Sequence, residues 1–452
     1  MSFRNVLFTC TIAVLLTTLT LRAALQDAWP QFVPADQQTT ITMVFTEAEK
    51  LPKPEELTLQ YACNDALAAD GRQLGWGQYE KAPFELKGDT LTTTVNFRGE
   101  TEHTLRLVSP HDKHGMKRPV VHGTFKLYSL KPDFFALRPY KCDMHMHSKF
   151  SDGRKDETPS HMIATCRKLG LDFAIVTDHR CHAGSQESIS TFAKLPTDMR
   201  CFTGEEIHSP GNGVHILGLG TSSGLTEWFT EKRAEYDAAV AAEKARIDPK
   251  ELPENLHYQA AASVVVWNKI RELGGIAVYC HPYWRPSDRQ YIPAALSDYL
   301  LQKGQFDAFE VLNGGSSDLG ILHYHELRAQ GRAWPGIGIT DAHASANLGR
   351  AYTLILSESL SFSDIAANIR KGNCIAVEVD HRTNQHRAHG DFRLGRFAIF
   401  LFTHYYPKHH DKLCAEEGEL LVKAVAGDAA AVEALKPLQG RVPALFDKYW
   451  AK

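Results

Sequence analysis

Histidine and acidic residues close five of the seven apolar runs that lie between residues 139 and 343. The runs are PYKCDMH, LDFAIVTDH, RCFTGEEI, GVHILGLG, GGIAVYCHP, FDAFEVLNG and WPGIGITDAH, and helical stretches such as PSHMIATCRKLG separate them. This alternation predicts an α/β domain. Parallel strands in a barrel bring their carboxyl ends to one mouth, so we expect the closing side chains to share a pocket. They are His145, His147, Asp178, His179, Glu206, His281, Asp341 and His343.

The first of these groups, in KCDMHMHSKFSDG, has to be separated from chance pairs. With 22 histidines in 452 residues, about one His-x-His pair is expected at random. The pair His323 and His325 lies in a helical stretch, where residues two apart do not face each other, and we predict a surface or packing role for it. In the first pair, strand alternation places Asp143, His145 and His147 on one face. Buried imidazoles and carboxylates need partners, and metal ions supply one for all of them.

The length and composition predict several globular domains. The chain has 452 residues, of which 43% are hydrophobic and 23% are charged. Short alternating stretches predict an all-β sandwich domain over residues 25–134. The α/β domain follows at residues 135–400, with an exposed helix expected at 226–247. Residues 401–452 are predicted to form a helical tail packed on the barrel, after an aromatic, strand-like run that starts near residue 395.

The first 24 residues have the features of a secretory signal: a basic residue, an apolar stretch, and then Ala23 and Ala24. They predict a secreted or periplasmic protein. An uncleaved membrane anchor is the alternative, because Leu21 or Arg22 would stand three residues before the cleavage point. The nine cysteines show no Cys-x-x-Cys spacing, and we predict mostly free thiols.

The charge distribution indicates which kind of molecule the protein binds. The net charge is −3, and the Lys and Arg residues are scattered, which disfavours nucleic acid. Arg180, directly after His179, and Arg285 in CHPYWRP favour a small, anionic substrate as the partner. No membrane contact is expected once the signal is removed, and the β domain is left as a contact for a glycan or another protein.

The ordered set DMHMHSKFSDG, VTDH, GEEI, VHILGLG, CHP and TDAH resembles the motifs of the polymerase and histidinol phosphatase (PHP) superfamily, over about residues 139 to 375. The resemblance implies a distorted seven-stranded (β/α) barrel that binds two or three divalent metal ions: zinc, manganese or iron. A PHP domain behind a β domain is also similar to the CehA/McbA-type secreted metallohydrolases.

The resemblance also assigns metal-ligating residues by their positions in the motifs. The first ion would be held by His145, His147, Glu206 and Asp341. The second ion would be held by Glu206, His215 and His281. The third ion would be held by Asp152, His179 and His343. In this assignment Glu206 bridges two ions.

Three acidic residues need separate treatment. Some members of the family have histidine where this chain has Asp152, and a carboxylate there favours a harder ion at the third position. Glu205 and Glu206 are neighbours on a strand and point to opposite faces, so Glu205 is predicted to lie in a salt bridge or in solvent. Asp178 is predicted to orient His179 through a hydrogen bond.

The activity that the resemblance implies is hydrolysis by a hydroxide that bridges two metal ions, most often of a small phosphate ester. The residue that protonates the leaving group could be His179, His343 or Asp341, and the sequence does not choose among them. Arg180 and Arg285 are predicted to contact an anionic substrate, with surface salt bridges as the alternative.

Two other functions stay open. A carbamate, ester or amide hydrolase of the CehA/McbA type would direct the same hydroxide at a carbonyl carbon. A non-catalytic, secreted, metal-containing binding protein would keep the ions for stability, although purely structural metal sites usually have a closed coordination shell.

Overall fold

The computed structural model describes residues 23–65, 68–75, 77–110, 119–285, 292–314 and 318–452. All but the last two residues of the predicted signal segment, 1–24, lie outside these ranges. Among the described residues, none of the helices combines the length and the apolar character needed to cross a membrane. The eight cysteines in this part of the chain are free thiols, as predicted.

The chain divides into two compact units. Among the described residues, the first comprises those within 23–30, 38–96 and 103–126, and the second comprises those within 31–37, 97–102 and 127–452. Three segments of the range 25–134 belong to the second unit, namely Gln31–Gln37, Phe97–Glu102 and residues 127–134. The predicted domain boundaries stay predictions.

The described part of the first unit consists mainly of antiparallel strands. In Gln38–Thr46 the alternate residues Ile41, Met43 and Phe45 are buried, as the two-residue period of a strand requires. One sheet has the spatial order Ala24–Trp29, Gln38–Thr46, Thr90–Asn96, Glu85–Lys87. A second sheet has the order Val120–Leu130, Glu102–Ser109, Thr58–Cys63, Glu80–Ala82. The short helices are Ala48–Lys50 and Pro54–Glu56.

The second unit contains two mixed sheets. The first has the spatial order Arg200–Cys201, Phe173–Ala174, Arg138–Asp143, Ala351–Ser357, Cys374–Asp380, Gln385–His389. The second has the order Gly204–His208, His215–Leu219, Ile276–Tyr279, Ala308–Asn313, Gly336–Ile339. In addition, Phe32–Pro34 pairs in parallel with Tyr128, Ser129 and Leu130.

The expected seven-stranded barrel is not what the described residues show, because the two sheets are not joined into one closed sheet. The pairing directions give the reason: a barrel of this type needs parallel neighbours, but Gly204–His208, His215–Leu219 and Ile276–Tyr279 pair antiparallel. Isolated bridges, Met146 to Ala342 and His179 to Glu206, connect the chain near the strand ends. The observed class is mixed α/β with several sheets.

Helices accompany these sheets. The side chains of Thr158, Ser361 and Asp391 accept backbone N–H groups at the starts of three of them, which satisfies donors that the first helical turn leaves unpaired. The α-helices are Pro132–Phe135, Pro159–Lys168, Ala183–Phe192, Thr226–Glu231, Arg233–Lys244, His257–Glu272, Ala294–Lys303, Asp318–Ala329, Phe362–Arg370, Phe392–Phe400, Asp411–Val425, Ala429–Leu435 and Arg441–Tyr449. Three short 3-10 helices, Glu254–Leu256, Ser345–Asn347 and Lys436–Leu438, and a π-helix, Leu401–His410, complete the set.

Two helical segments differ from their predictions. The stretch 226–247 forms two helices, Thr226–Glu231 and Arg233–Lys244, and the second buries Tyr236 and Val240. The run from residue 395 is helical and not strand-like: Phe392–Phe400 continues through the π-helix Leu401–His410 into the next α-helix. Its aromatic residues lie at helical spacing, and packing of Phe397, Phe400 and Tyr405 overrides their strand preference.

Candidate metal centre

Four side chains from three distant parts of the chain meet around one point. The Nε2 atom of His145 lies 3.2 Å from Glu206 Oε2 and 3.3 Å from Asp341 Oδ1. The Nε2 atom of His147 lies 3.2 Å and 3.0 Å from the same two oxygens. Ligands about 2.0 to 2.1 Å from a tetrahedral ion lie about 3.3 Å from one another, so this spacing suits one ion. The structure thus brings together the four residues that were predicted for the first ion.

In His145 and His343 the ring nitrogen that faces away from the pocket has an acceptor. His145 Nδ1 lies 2.7 Å from Glu310 Oε1, and a carboxylate only accepts. His343 Nδ1 lies 2.9 Å from the main-chain oxygen of Asp341, which also only accepts. Each ring therefore donates from Nδ1, and its Nε2 atom is the one that faces the other carboxylates and would bind an ion, as in metal-ligating histidines. The donor set fits divalent metal ions.

Glu206 lies between two groups of imidazoles. Its Oε2 atom faces His145 and His147, while its Oε1 atom lies 2.7 Å from His215 Nδ1 and 3.3 Å from His281 Nε2. Burial acts to raise the pKa of the Glu206 carboxyl, but the facing imidazoles, His145 foremost, hold that pKa well below its usual value. Glu206 is placed as predicted for a residue shared between two ions.

The loop that carries His281 is held in an unusual backbone conformation. His281 and Tyr283 have positive φ values of 25° and 66°. The His281 N–H donates to Glu310 Oε2 at 2.7 Å, and the Tyr283 hydroxyl donates to Asp298 Oδ1 at 2.6 Å. The Trp284 ring then packs beside the rings of His215 and His281, with centroids 5.1 and 5.3 Å away. Trp284 therefore forms an aromatic wall at the second position.

The third predicted position is more open. Asp152 Oδ2 lies 3.4 Å from His179 Nε2 and 3.3 Å from His343 Nε2. Burial acts to raise the pKa of the Asp152 carboxyl, but the two imidazoles hold that pKa far below its usual value. The side chains of His343, His179 and Asp341 are 40%, 23% and 17% exposed, so His343 is the most exposed of the three candidates for leaving-group protonation.

Two functional candidates escaped the sequence interpretation. Glu310 is buried in the strand Ala308–Asn313 and accepts from His145, His281 and Asn313. An acid inside the apolar run FEVL was the available signal, because a buried carboxylate needs partners. His208 follows Glu206 by two residues on the strand Gly204–His208 and therefore shares its face. Its Nε2 atom lies 2.7 Å from His179 Nδ1.

The acidic residues next to the predicted ligands have structural roles of a different kind. Asp178 does not bond to His179 as predicted: its carboxylate accepts from Ser148 N, Ser148 Oγ and Ser151 Oγ, each at 2.7 Å. It thereby holds the loop that leads from His147 to Asp152. Glu205 is buried and accepts from Leu225 N and Thr226 Oγ1, so the prediction of a salt bridge or solvent exposure was wrong.

The two predicted substrate arginines are both exposed. Arg180 has a positive φ of 52°, and its N–H donates to the main-chain oxygen of Glu206. Its side chain lines a cavity of about 380 Å³ together with His208, Thr226 and Phe229. Arg285 directly follows the aromatic wall residue Trp284. A contact of either arginine with substrate stays a prediction.

The fold and the centre define a mixed α/β protein whose His, Glu and Asp clusters suit divalent metal ions. Residues 328–374 match the PHP-associated family model. This segment contains Asp341 and His343, and the predicted resemblance to the PHP superfamily is confirmed there. No curated protein matches the chain.

Three solved structures are similar to parts of the chain. A two-domain protein from Bacteroides vulgatus that contains a predicted PHP-like metal-dependent phosphoesterase is 18% identical, with a TM-score of 0.37. That match covers 53% of this chain and 65% of the other, which is less than two thirds of its length. An amidohydrolase from Chromobacterium violaceum is 20% identical over 45% of this chain and 87% of its own, with a TM-score of 0.29. A lesion-specific endonuclease from Pyrococcus furiosus is 15% identical over 54% of this chain and 60% of its own, with a TM-score of 0.33.

Proposed function

We propose that the protein is a metal-dependent hydrolase of the PHP type that cleaves small phosphate esters. The observation that carries the proposal is the position of Glu206. One of its oxygens faces His145 and His147, and the other faces His215, which suits a carboxylate shared by neighbouring ions. The match of residues 328–374 to the PHP-associated family supports the same class.

Divalent ions bound at this centre would lower the pKa of a bound water and polarise the bond under attack. The residues of the chain hold the geometry for that chemistry. Asp341 directs Oδ1 at His147, while its Oδ2 accepts from Asn313 Nδ2 at 3.2 Å, so the carboxylate has one orientation. Glu310 Oε1 accepts from His145 Nδ1 and so fixes the orientation of the His145 ring. Ligands fixed in advance reduce the reorganisation that binding and reaction would otherwise require.

The choice of a phosphate ester rests on Arg180. Its guanidinium makes its side-chain hydrogen bond to His208 Nδ1, at 3.4 Å, and lines the cavity beside the centre. A planar guanidinium in such a place suits a phosphoryl oxygen. Strained backbone conformations gather at functional sites, and the positive φ of Arg180 agrees with a substrate contact.

The competing function is hydrolysis of a carbamate, ester or amide. The aromatic wall formed by Trp284 favours it, because an indole ring suits a neutral aromatic group on the substrate. Arg180 would then contribute little, since a neutral carbonyl compound offers no anion.

A panel of p-nitrophenyl substrates tests the proposal. Purified, metal-loaded protein is assayed with bis(p-nitrophenyl) phosphate, p-nitrophenyl phosphate, p-nitrophenyl acetate and a p-nitrophenyl carbamate. We expect turnover of a phosphate ester, and its loss in Glu206→Gln. Arg180→Met should lower kcat/KM for the phosphate ester by about 10- to 100-fold, because it removes a charge-assisted hydrogen bond, and should leave acetate cleavage nearly unchanged.

The exposed Arg246, which pairs with Glu243 on a surface helix, provides the matched control Arg246→Met. Cleavage of the acetate or carbamate without cleavage of either phosphate would show that the proposed function is wrong and would favour the competing one. The location outside the cytoplasm, inferred from residues 1–24, belongs to the same proposal, and cell fractionation of the full-length chain tests it.

A further inference from the structure

Asp143 belongs to the first motif of the metal centre but is not among the predicted ligands. It ends the strand Arg138–Asp143 of the first mixed sheet and is fully buried. Its Oδ1 atom accepts from the N–H of His145 at 3.3 Å and from the N–H of Thr340 at 3.2 Å. Its Oδ2 atom accepts from the Thr340 hydroxyl. A buried carboxylate needs such donors, and Thr340 supplies two of these three.

Thr340 brings the second mixed sheet to this carboxylate. It directly follows the strand Gly336–Ile339 of that sheet and directly precedes Asp341. Asp143 therefore joins the segment that carries His145 to the segment that carries Asp341. The Asp341 N–H adds a bond to the main-chain oxygen of His145, at 2.9 Å. Because the two sheets are not joined into one, these bonds set the separation of the ligands that the sheets contribute.

Asp341 has a backbone conformation that needs such support. Its φ is 50°, in the left-handed region that is unfavourable for residues other than glycine. A residue stays in this region only where its surroundings hold it there. Asp341 Oδ1 then lies 3.0 Å from His147 Nε2 and 3.3 Å from His145 Nε2, which is the spacing of ligands on one ion. A change of φ would turn the Cα–Cβ bond and carry the carboxylate away from these nitrogens.

We propose that Asp143 and Thr340 form a clamp that positions Asp341 as a ligand of the first ion. The clamp consists of the hydrogen bonds from the N–H and the hydroxyl of Thr340 to the Asp143 carboxylate. Thr340 is a positioning residue, because it acts on the ion only through Asp341. A ligand that is already in place needs no rearrangement when the ion binds, and affinity is higher for that reason. The inference rests on the metal centre of the proposed function but not on the bond that is cleaved.

A second buried threonine provides a matched control. The hydroxyl of Thr197 donates to Glu417 Oε1, and both side chains are buried, like those of Thr340 and Asp143. Glu417 also accepts from Arg167 and from the N–H of Asp198. In the described part of the chain, none of the hydrogen bonds of this pair involves a predicted metal ligand. Loss of either threonine hydroxyl removes a donor from a buried carboxylate, so we expect similar losses of stability.

Zinc titration of Thr340→Val tests the clamp. Valine keeps the branched shape and the N–H of threonine but has no hydroxyl, and the charge of the centre does not change. Metal-free protein competes with a chromophoric chelator for Zn²⁺, which gives the affinity of each bound ion. We expect one ion to bind about tenfold more weakly than in wild type, at the low end of the effect of lost outer contacts. Thr197→Val should bind every ion as wild type does, although urea unfolding shows a similar loss of stability.

Three further variants make the test specific. Thr340→Ser restores the hydroxyl and should restore the affinity. Thr340→Ala removes the same hydroxyl with a smaller side chain and takes the place of Thr340→Val if valine prevents folding. In the background Asp341→Asn, which already weakens the ligand, Thr340→Val should cause no further loss, because the clamp acts through Asp341.

The visible absorption of bound Co²⁺ gives a second readout, since it depends on the number and arrangement of the ligands. The spectrum of Thr340→Val should differ from that of wild type in the direction of Asp341→Asn. The spectrum of Thr197→Val should match that of wild type, which separates a change at the ion from a general loss of stability.

The inference is overturned if Thr340→Val binds every ion as tightly as wild type, or if Thr197→Val weakens an ion to the same extent. Failure of Thr340→Ser to restore the affinity would overturn it as well, and so would an equal loss in the Asp341→Asn background. If the clamp is found but no phosphate ester is cleaved, the proposed function fails and this inference stands. Cleavage of a phosphate ester together with full affinity in Thr340→Val has the opposite meaning.

Discussion

The nitrogen that faces away from the pocket decides the chemistry of each histidine. His145 and His343 have acceptors for Nδ1, in Glu310 and in the main-chain oxygen of Asp341. These contacts fix the orientation of both rings before any ion arrives. The resemblance to the PHP superfamily implied the ligands. Glu310 is 165 residues from His145 and became visible as its partner only in the structure, whereas the acceptor of His343 is only two residues away.

Glu310 should therefore control metal affinity without being a ligand. Replacing it with alanine leaves His145 Nδ1 without its acceptor and removes the bond to the His281 N–H. We expect Glu310→Ala to weaken metal binding about 10- to 100-fold, as loss of such outer contacts does. Isothermal titration with Zn²⁺ measures this, with the exposed Glu326→Ala as control. Equal affinities in the two variants would contradict it.

At the scale of elements, a buried ion network fixes the helix Asp411–Val425 against the helix Pro159–Lys168. Arg167 is fully buried and bonds to Glu417 Oε2 at 2.6 and 2.9 Å and to Asp172 Oδ1 at 3.3 Å. The network is one of the contacts that hold the helix Asp411–Val425 within the second unit. Nothing in the order of the elements indicated which acid Arg167 would meet.

Arg167→Met should cause a large loss of stability. The substitution leaves the buried carboxylate of Glu417 without its cation and Asp172 with His410 alone, and breaking such a group costs about 3 to 5 kcal/mol. The comparison is Arg441→Met, which breaks the exposed pair with Glu416 and should cost about 0 to 1 kcal/mol. Urea unfolding of both variants measures the difference. Similar losses would show that the buried network does not hold the helix.

The same network should make stability depend on pH through His410. Burial acts to lower the pKa of His410, but Asp172 and Asp411 hold that pKa well above its usual value. The stabilisation is complete below about pH 6.5, the pKa in the unfolded chain, and is lost as the pH rises through the folded value. The free energy of unfolding should fall by up to about 1.4 kcal/mol per pH unit in this range.

Unfolding by urea between pH 6 and 9 tests this dependence, with His410→Gln as the comparison. Glutamine does not titrate, so its curve should be flatter than that of wild type above pH 6.5. Parallel curves for the two proteins would assign the dependence to another group.

At the scale of the whole molecule, the centre joins segments that strand pairing leaves separate. Glu206 and Asp341 belong to the sequence around the second mixed sheet, while His145 and His147 follow a strand of the first. The two sheets are not closed, and their isolated bridges lie beside these residues. Bound ions would therefore tie the parts of the second unit together.

Metal removal should lower the thermal stability of the protein. Ions that bind only the folded chain stabilise it by about 2.7 kcal/mol at one hundred times the dissociation constant. We expect EDTA to reduce the Tm of wild-type protein and added Zn²⁺ to restore it. In Glu206→Gln, added Zn²⁺ should raise the Tm much less. Differential scanning calorimetry measures all three. A Tm that EDTA leaves unchanged would contradict a role of the ions in holding the fold.

The sequence by itself determined the residue types of the centre and their order, because motifs around His145, Glu206 and Asp341 are local patterns that chemistry restricts. It also determined the alternation of strands and helices, which follows from local periodicity. Tertiary structure decided the open sheets, the helical run after residue 395 and the partners Glu310 and His208. Strand direction, burial and hydrogen-bond acceptors depend on segments far apart in the chain, and a local pattern carries no information on which of them will meet.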